Sequence, residues 1–535
     1  MRKLILVLAM VIESASAAAA TPVDAVLDSV QYGAFRYFWY EANAANGLIR
    51  DRSQSGSPAS IAAVGFGLSA ICTGIDHGWI TRAAGQTRVL TTLNTFWNGV
   101  QRPAPDSAGV GVAMGYKGLF YHFLNMTTGM RMWTSELSTI DTALLLAGII
   151  DAKQYFNTSD PTDVQIRTLS DQIYGRVDWT FVQNSSPVAI KHGWKPESGG
   201  AFIDGGAYWT GYNEMMILYI LAMGSPTHPI PASAWTTWYS SYFWNNPGYG
   251  GNTYVNFPPL FGHQYSHCWI DFSGKRDGFM RFVGSDYFEN SRRATLAQQA
   301  YCIANPGGKV GYGANQWGLT AGDGPNFTYA AHGAPGGFDD GTIQPTAAVS
   351  SMPFAPEICR PTTQYLYDTY PLLWGPYGFR DGFNLTSNPD WYDADYLGID
   401  QGPMVMMIEN YRNARIWSRF MQNADVQRGM TAADFTNIVG VGEPPVAVKD
   451  GPMLWSSPNP FTVSATVGFR LASGGPARLT VHDLMGREVA RLHDGWADAG
   501  EHSLTFTSDG LKSGVYWYRL SAGGNEVLSK GILIR

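Results

Sequence analysis

Nine consecutive apolar residues, Met215 to Met223, follow one carboxylate, Glu214, and end at Gly224-Ser225-Pro226. A helix that is apolar on every side is a buried one, and Gly followed by Pro stops a helix. The run therefore reads as an interior helix whose first turn carries an acid beside Tyr208, Trp209 and Tyr212. An acid flanked by aromatic rings at the mouth of a buried helix suggests sugar chemistry.

Two more apolar helices begin the same way. Glu136 precedes Leu137-Ser138-Thr139-Ile140-Asp141 and an apolar stretch to Ile150, and Asp400 precedes Gln401-Gly402-Pro403 and Met404 to Ile408. Free N–H groups at a helix start stabilise an anion, which favours a general base. A general acid there needs apolar burial to raise its pKa again. The competing role is capping. Asp286 with Glu289 fits a capping box, Asp141 behind Ser138 fits the same pattern, and Asp400 alone could be an N-cap. Glu136 and Glu214 fit capping less well, and Glu357, after Pro356, fits either role.

Composition narrows the partners. Charged residues are 15% of the 535-residue chain and aromatics 13%, where an average protein has about 25% charged residues. Most rings fill a core, and the surplus suits stacking on sugars. Net charge is −7 without a basic run, so nucleic acid is not an expected partner. Arg2 and Lys3 before the apolar residues 4–12, with Ala15-Ser16-Ala17 beyond, read as a signal peptide cut after Ala17 or Ala20, although Glu13 is atypical. No other apolar run reaches the roughly 18–20 residues that span a bilayer, so an exported, soluble protein is expected. The four cysteines are widely spaced and form no metal or redox motif.

Residues 22–421 read as mainly helical, with helices expected over 23–41, 57–73, 81–99, 139–153, 161–182, 213–223, 287–304, 356–370 and 402–420. Long loops, such as 307–341, separate them and are usually functional. Stacked helical hairpins are the expected architecture. Periodicity fades over 422–448, which contains Pro444-Pro445 and reads as a linker, drawn at 426–450. Beyond it, six short strands over 464–471, 477–483, 488–492, 502–507, 514–521 and 527–534 point to a small β-sandwich.

Other motifs carry less. His263 and His267 stand one helical turn apart, but Gln264 stands where a zinc protease needs Glu, so substrate contact or core is the expected role. Asp390, Asp393 and Asp395 lack the spacing of an EF-hand loop. Arg276 with Asp277, and Arg292 with Arg293, could pair with acids or hold sugar hydroxyls. Neither Gly-x-Ser-x-Gly nor a phosphate-binding Gly loop is present. No metal or cofactor is assigned.

The segments Gly47-Leu48-Ile49-Arg50-Asp51-Arg52, Glu136 to Ala143, Tyr212-Asn213-Glu214 through His228, Gly262 to His267, Phe354-Ala355-Pro356-Glu357 and Gly398 to Pro403 occur in order. With them, residues 30–420 resemble the glucoamylase-like family that includes bacterial endo-β-1,2-glucanases, glycoside hydrolase family 144. The resemblance implies an (α/α)6 toroid with a funnel over the inner-helix N-termini, and inverting cleavage of a β-linked glucan. It makes Glu214 the general acid and Asp400 the best base candidate, acting through water. Glu136 would position substrate or raise its partner's pKa, with base or nucleophile as its other roles. Asp141, Tyr208, Trp209, Tyr212, His263, Tyr265, His267, Arg293, Trp317, His332 and Glu357 would contact substrate, and Asn326 would line the funnel. The last 85 residues, with Pro458-Asn459-Pro460-Phe461, the stretch Val481 to Val489 and Gly514-Val515-Tyr516, resemble type IX secretion sorting domains and FlgD-like Ig modules. That implies the type IX machinery as a partner, and release to the surface or medium. The alternatives are α-glucan cleavage, transglycosylation or phosphorolysis on the same scaffold, and a non-catalytic surface glycan-binding protein.

Overall fold

The computed structural model describes residues 22–102, 111–197, 200–325, 328–437, 453–457, 461–471, 473–483, 487–523 and 525–534. The signal-peptide reading at 1–20 and Asn326 lie outside them. In the first unit, which ends at Asn437, the helices are α1 (Pro22–Tyr40), α2 (Ile61–Asp76), α3 (Arg82–Asn98), α4 (Thr139–Tyr155), α5 (Pro161–Gly175), α6 (Met216–Met223), α7 (Ser233–Tyr239), α8 (Gly278–Phe282), α9 (Tyr287–Ala304), α10 (Pro345–Val349), α11 (Pro356–Thr369), α12 (Gly398–Asn413), α13 (Arg415–Phe420) and α14 (Ala424–Ala432).

Every residue of α6 is buried, as its apolar run requires. Its neighbours close a cycle: α2 packs on α4, α4 on α6, α10 on α12, and α12 on α2. The gap between α6 and α10 is filled by residues 260–270, which form two 3-10 turns, Leu260–His263 and Ser266–Cys268. The Ser266 hydroxyl donates to the Glu214 carbonyl at 2.6 Å and accepts from the Ile217 amide at 3.0 Å. Gln264 donates from Nε2 to the Ala347 carbonyl and to Ser351 Oγ, both at 2.8 Å. Helices α1, α5, α9 and α11 pack outside this cycle, on α2 and α12, on α4, on 260–263 and on α10 respectively. The α2–α4 contact is backbone to backbone. A Cβ at Gly148 would lie 2.0 Å from the Gly65 carbonyl oxygen, so only glycine fits there.

Several boundaries differ from the sequence reading. The first turn of α2 starts at Ile61 because Ser60 caps it by accepting from the Ala63 amide. Helix α5 stops at Gly175, short of the expected 182. The expected 402–420 helix starts four residues earlier and breaks at Ala414, whose φ is 52°. The linker drawn at 426–450 is folded as far as Asn437. Residues 424–432 form α14 against α6, and Thr436–Asn437 pairs with Lys275–Arg276. Val426 and Met430, on one face of α14, carry the apolar contact that weak periodicity obscured.

The second unit contains β1 (Met453–Ser457), β2 (Ser464–Leu471), β3 (Gly475–His482), β4 (Glu488–Ala497), β5 (Gly500–Thr507), β6 (Gly514–Ala522) and β7 (Asn525–Leu533). One sheet is ordered β1-β2-β5 and the other β4-β3-β6-β7, all antiparallel. Alternate residues of both sheets, among them Val467, Phe469, Leu479, Val481, Tyr518 and Leu520, share one core. Strand β1 is additional to the six expected.

Candidate active site

The starts of α4, α6 and α12 converge on one cavity of about 390 Å³. Asp141 and Glu214 line it from α4 and the approach to α6, and Leu397 and Ile399 from the start of α12. Asp51, Arg52, His122 and Phe123 also line it, with Phe261, Tyr265 and Tyr329. Glu214 stands two residues before α6, a helix without a side-chain cap of its own. Ser266 supplies the missing hydrogen bonds and so fixes the turn that carries Glu214. Burial pushes the Glu214 carboxyl up to about 7, and the neighbouring Asp141 charge adds to the rise.

Asp400, 2% exposed, sits in the first turn of α12 next to cavity-lining Ile399. Its carboxyl meets that of Asp381, and burial raises both. Asp381 is raised further by the Asp400 charge, and Asp400 is raised to about 7.

His122 is drawn in by three carboxylates. Its Nδ1 lies 2.9 Å from Glu136 Oε1, and its Nε2 3.6 Å from Asp141 Oδ2. Burial would lower it, but Asp141, Glu136 and Asp51 outweigh that and raise it to about 9, so the ring is a cation at neutral pH. Burial would raise Glu136, but the His122 hydrogen bond and charge, its own backbone amide and the Lys195 charge together outweigh it, and Glu136 is lowered. Glu136 stands outside the cavity lining and acts on it through His122. Ser138 caps α4 by accepting from the Asp141 amide at 3.1 Å, and donates back to Asp141 Oδ2 at 2.5 Å. Asp141 is thus both a first-turn partner and a cavity carboxylate. Arg52 donates to Asp323 at 2.7 Å and lies 3.5 Å from Asp51.

The remaining expected residues divide. Tyr265 lines the cavity within reach of the Asp400 and Glu214 charges. Trp209 donates from Nε1 to Thr139 Oγ1 at 3.1 Å and packs beside His192, at the start of α4, and Tyr208 bridges to Lys191. Tyr212, His263 and His267 are core residues: Tyr212 stacks on Tyr287 and packs on His263, and burial lowers both histidines to about 3. Trp317 is also interior, donating to Thr362 Oγ1 at 2.8 Å. His332 is buried on Gln344, Asp340 and Phe338. Arg293 pairs with Glu289 on α9, and Glu357 with Arg292, joining α9 to α11 on the outside. Neither reaches the cavity, because both sit on outer helices.

The sequence reading gave no role to Asp51, Arg52, His122, Asp323 or Asp381. One signal was present: Arg50-Asp51-Arg52 places three charges together in a chain that is 15% charged. The geometry supplies a buried carboxyl raised to about 7, a second raised carboxyl at the start of α12, and an aromatic wall. That is equipment for acid–base catalysis on a neutral, hydroxyl-rich substrate.

A family model, Glycoamylase, matches residues 206–424, which include Glu214 and Asp400. A curated protein of Parabacteroides distasonis, an exo-β-1,2-glucooligosaccharide sophorohydrolase acting at the non-reducing end, is 33% identical over 439 residues. The match takes in 76% of this chain and 57% of that protein's length. The endo-β-1,2-glucanase of Chitinophaga pinensis, solved with sophorotriose and glucose, is 31% identical with a TM-score of 0.69. It is covered to 99%, over 78% of this chain. The β-1,2-glucanase structure from Parabacteroides distasonis is 31% identical with a TM-score of 0.68, matching 77% of this chain and 60% of its own. With a helical ring, a carboxylate-lined cavity at its helix starts and a 31%-identical relative matched over 99% of its length, the chain belongs to the glucoamylase-like family that contains the bacterial endo-β-1,2-glucanases.

Proposed function

We propose that this protein is an exported glycoside hydrolase that cleaves β-1,2-linked glucan with inversion, from within the chain, on an (α/α)6 toroid. The observation that carries the reading is Glu214: a carboxyl raised to about 7 in the wall of a cavity shared with the starts of α4 and α12. The closed cycle of inner helices, with α1, α5, α9 and α11 outside it, supports the toroid.

Glu214 gives its proton to the glycosidic oxygen as the bond to the anomeric carbon breaks. Asp400 takes a proton from the attacking water on the other face. Inversion needs the two carboxyls about 6.5–9.5 Å apart, so that water fits between. Asp400 is buried one residue beyond cavity-lining Ile399, so it reaches the sugar through that water. His122, held cationic by Glu136, Asp141 and Asp51, neutralises the acidic wall, and Tyr265, Phe261 and Tyr329 give the sugar rings apolar faces.

The test is Glu214→Gln assayed on β-1,2-, β-1,3- and α-1,4-glucans by new reducing ends. Turnover on β-1,2-glucan should fall by about three orders of magnitude or more with circular dichroism unchanged. Near-normal hydrolysis would end the proposal. The Parabacteroides relative named for exo action favours a second reading, release of sophorose from chain ends. A product ladder from long glucan supports endo cleavage, and sophorose alone supports the other.

Export rests on the residue pattern at 1–20 and on the second unit, with seven strands among its described residues, which fits a sorting domain handled by the type IX machinery. Mass spectrometry of protein from culture medium should find a new N-terminus after Ala17 or Ala20. Material that keeps Met1 inside the cell would overturn it.

A further inference from the structure

Behind the cavity wall, three carboxylates from separate stretches meet. Asp323 lies on the strand Ala321–Gly324, Asp381 precedes the strand Phe383–Asn384, and Asp393 follows the strand Trp391–Tyr392. One oxygen from each lies within 4.8 Å of the other two. Asp323 and Asp381 are 2% exposed and Asp393 3%.

Each carboxylate is pinned by one oxygen only. Asp323 Oδ2 accepts from Arg52 at 2.7 Å, Asp381 Oδ2 from the Asp323 amide at 2.7 Å, and Asp393 Oδ1 from the Asp395 amide at 3.1 Å. The second oxygens, Asp323 Oδ1, Asp381 Oδ1 and Asp393 Oδ2, are buried without a hydrogen-bond partner. So is Oδ2 of Asp400, a side chain outside the trio whose carboxyl meets Asp381. Buried carboxylate oxygens are nearly always paired, because leaving water uncompensated is costly. Here four such oxygens belong to side chains that adjoin one another.

The protein supplies little positive charge in return. Arg52 contacts Asp323 and reaches toward Asp51 and Asp395. Arg380, the other cation nearby, spends its Nη1 on the Asp393 and Ala394 carbonyls. A cation with hard-oxygen preference answers both the missing donors and the missing charge. Calcium–oxygen distances are about 2.3–2.6 Å, so ligands on opposite sides of one ion stand about 4.6–5.2 Å apart, whereas magnesium allows about 4.2 Å. Magnesium keeps several waters and takes one or two carboxylates, so a cage of three protein carboxylates suits calcium better.

We infer that Asp323, Asp381 and Asp393 form a binding site for a calcium-type divalent cation behind the cavity, with Asp400 at its edge. The ion would tie the 381–393 stretch to the strand Ala321–Gly324 and fix Asp381 beside Asp400. The inference stands on these oxygens and not on any glucan activity.

The experiment uses full-length protein stripped with EDTA. Equilibrium dialysis against CaCl2 should find one calcium per chain bound at this site, and the melting temperature should rise by about 2 °C at a calcium concentration one hundred times Kd. MgCl2 should give a weaker response. Asp393→Asn, checked by circular dichroism, should weaken calcium binding at least tenfold, and Asp323→Asn takes its place if that variant fails to fold. A stripped wild-type protein that neither binds calcium nor shifts its melting overturns the inference. So does a folded variant that binds calcium with unchanged affinity.

Discussion

The environment of Glu214 sets a pH dependence with a definite sign. An exposed glutamate titrates near 4.5, and burial moves this one to about 7. The protonated form is the proton donor, so kcat/KM should fall tenfold per pH unit above about pH 7. A limb that stays flat to pH 9 would remove Glu214 as the acid. The same shift acts on stability. The folded state binds this proton more tightly than the unfolded chain, so stability is lost as pH rises from about 4.5 to about 7 and is level above. Glu214→Gln abolishes that loss. The variant should be more stable than wild type at pH 8 by about 1–3 kcal/mol, the lower end applying because the carboxyl faces an open cavity, and the difference should vanish near pH 4.5. Urea unfolding at both pH values checks it. Glu214 was legible because an acid at the start of an all-apolar run is a local pattern. Asp381 and His122 were not, because their chemistry comes from partners brought together by folding: Asp400 from across a loop, and Glu136, Asp141 and Asp51 from separate segments.

At the scale of elements, legibility followed length. Helix α1 was placed to within a residue because nineteen residues carry several turns of periodicity. Helix α10 has five residues, and the 260–270 segment has two single 3-10 turns, too short for a period to register. Yet that segment closes the inner cycle and holds the acid. Ser266 is the joint, its hydroxyl serving one carbonyl and one amide that would otherwise be buried unpaired. Ser266→Ala should cost about 1–3 kcal/mol in denaturant unfolding. It should also reduce kcat about tenfold while leaving KM within about twofold, because it loosens the turn bearing Glu214 rather than the sugar platform. An unchanged kcat with lowered stability would make Ser266 a packing residue alone.

At the scale of the whole molecule, the change from long apolar helices to short alternating strands was visible in the residues, and the chain does divide there. The division falls at Asn437 rather than in the middle 420s because α14 buries Val426 and Met430 against the helical unit, a contact that nine residues of mixed polarity do not advertise. Each unit has its own hydrophobic core, with no residue common to both. A unit that closes its own core unfolds as its own cooperative step. Calorimetry of the full chain should therefore resolve two transitions. The larger enthalpy should belong to the helical unit, since unfolding enthalpy grows with residue number. A chain ending at Asn437 should keep only that larger transition, at an unchanged temperature, and hydrolyse glucan at the full-length rate, because every cavity residue precedes Asn437. A single transition in the full chain, or loss of turnover in the shortened one, would show that the strands support the helical unit rather than ride with it.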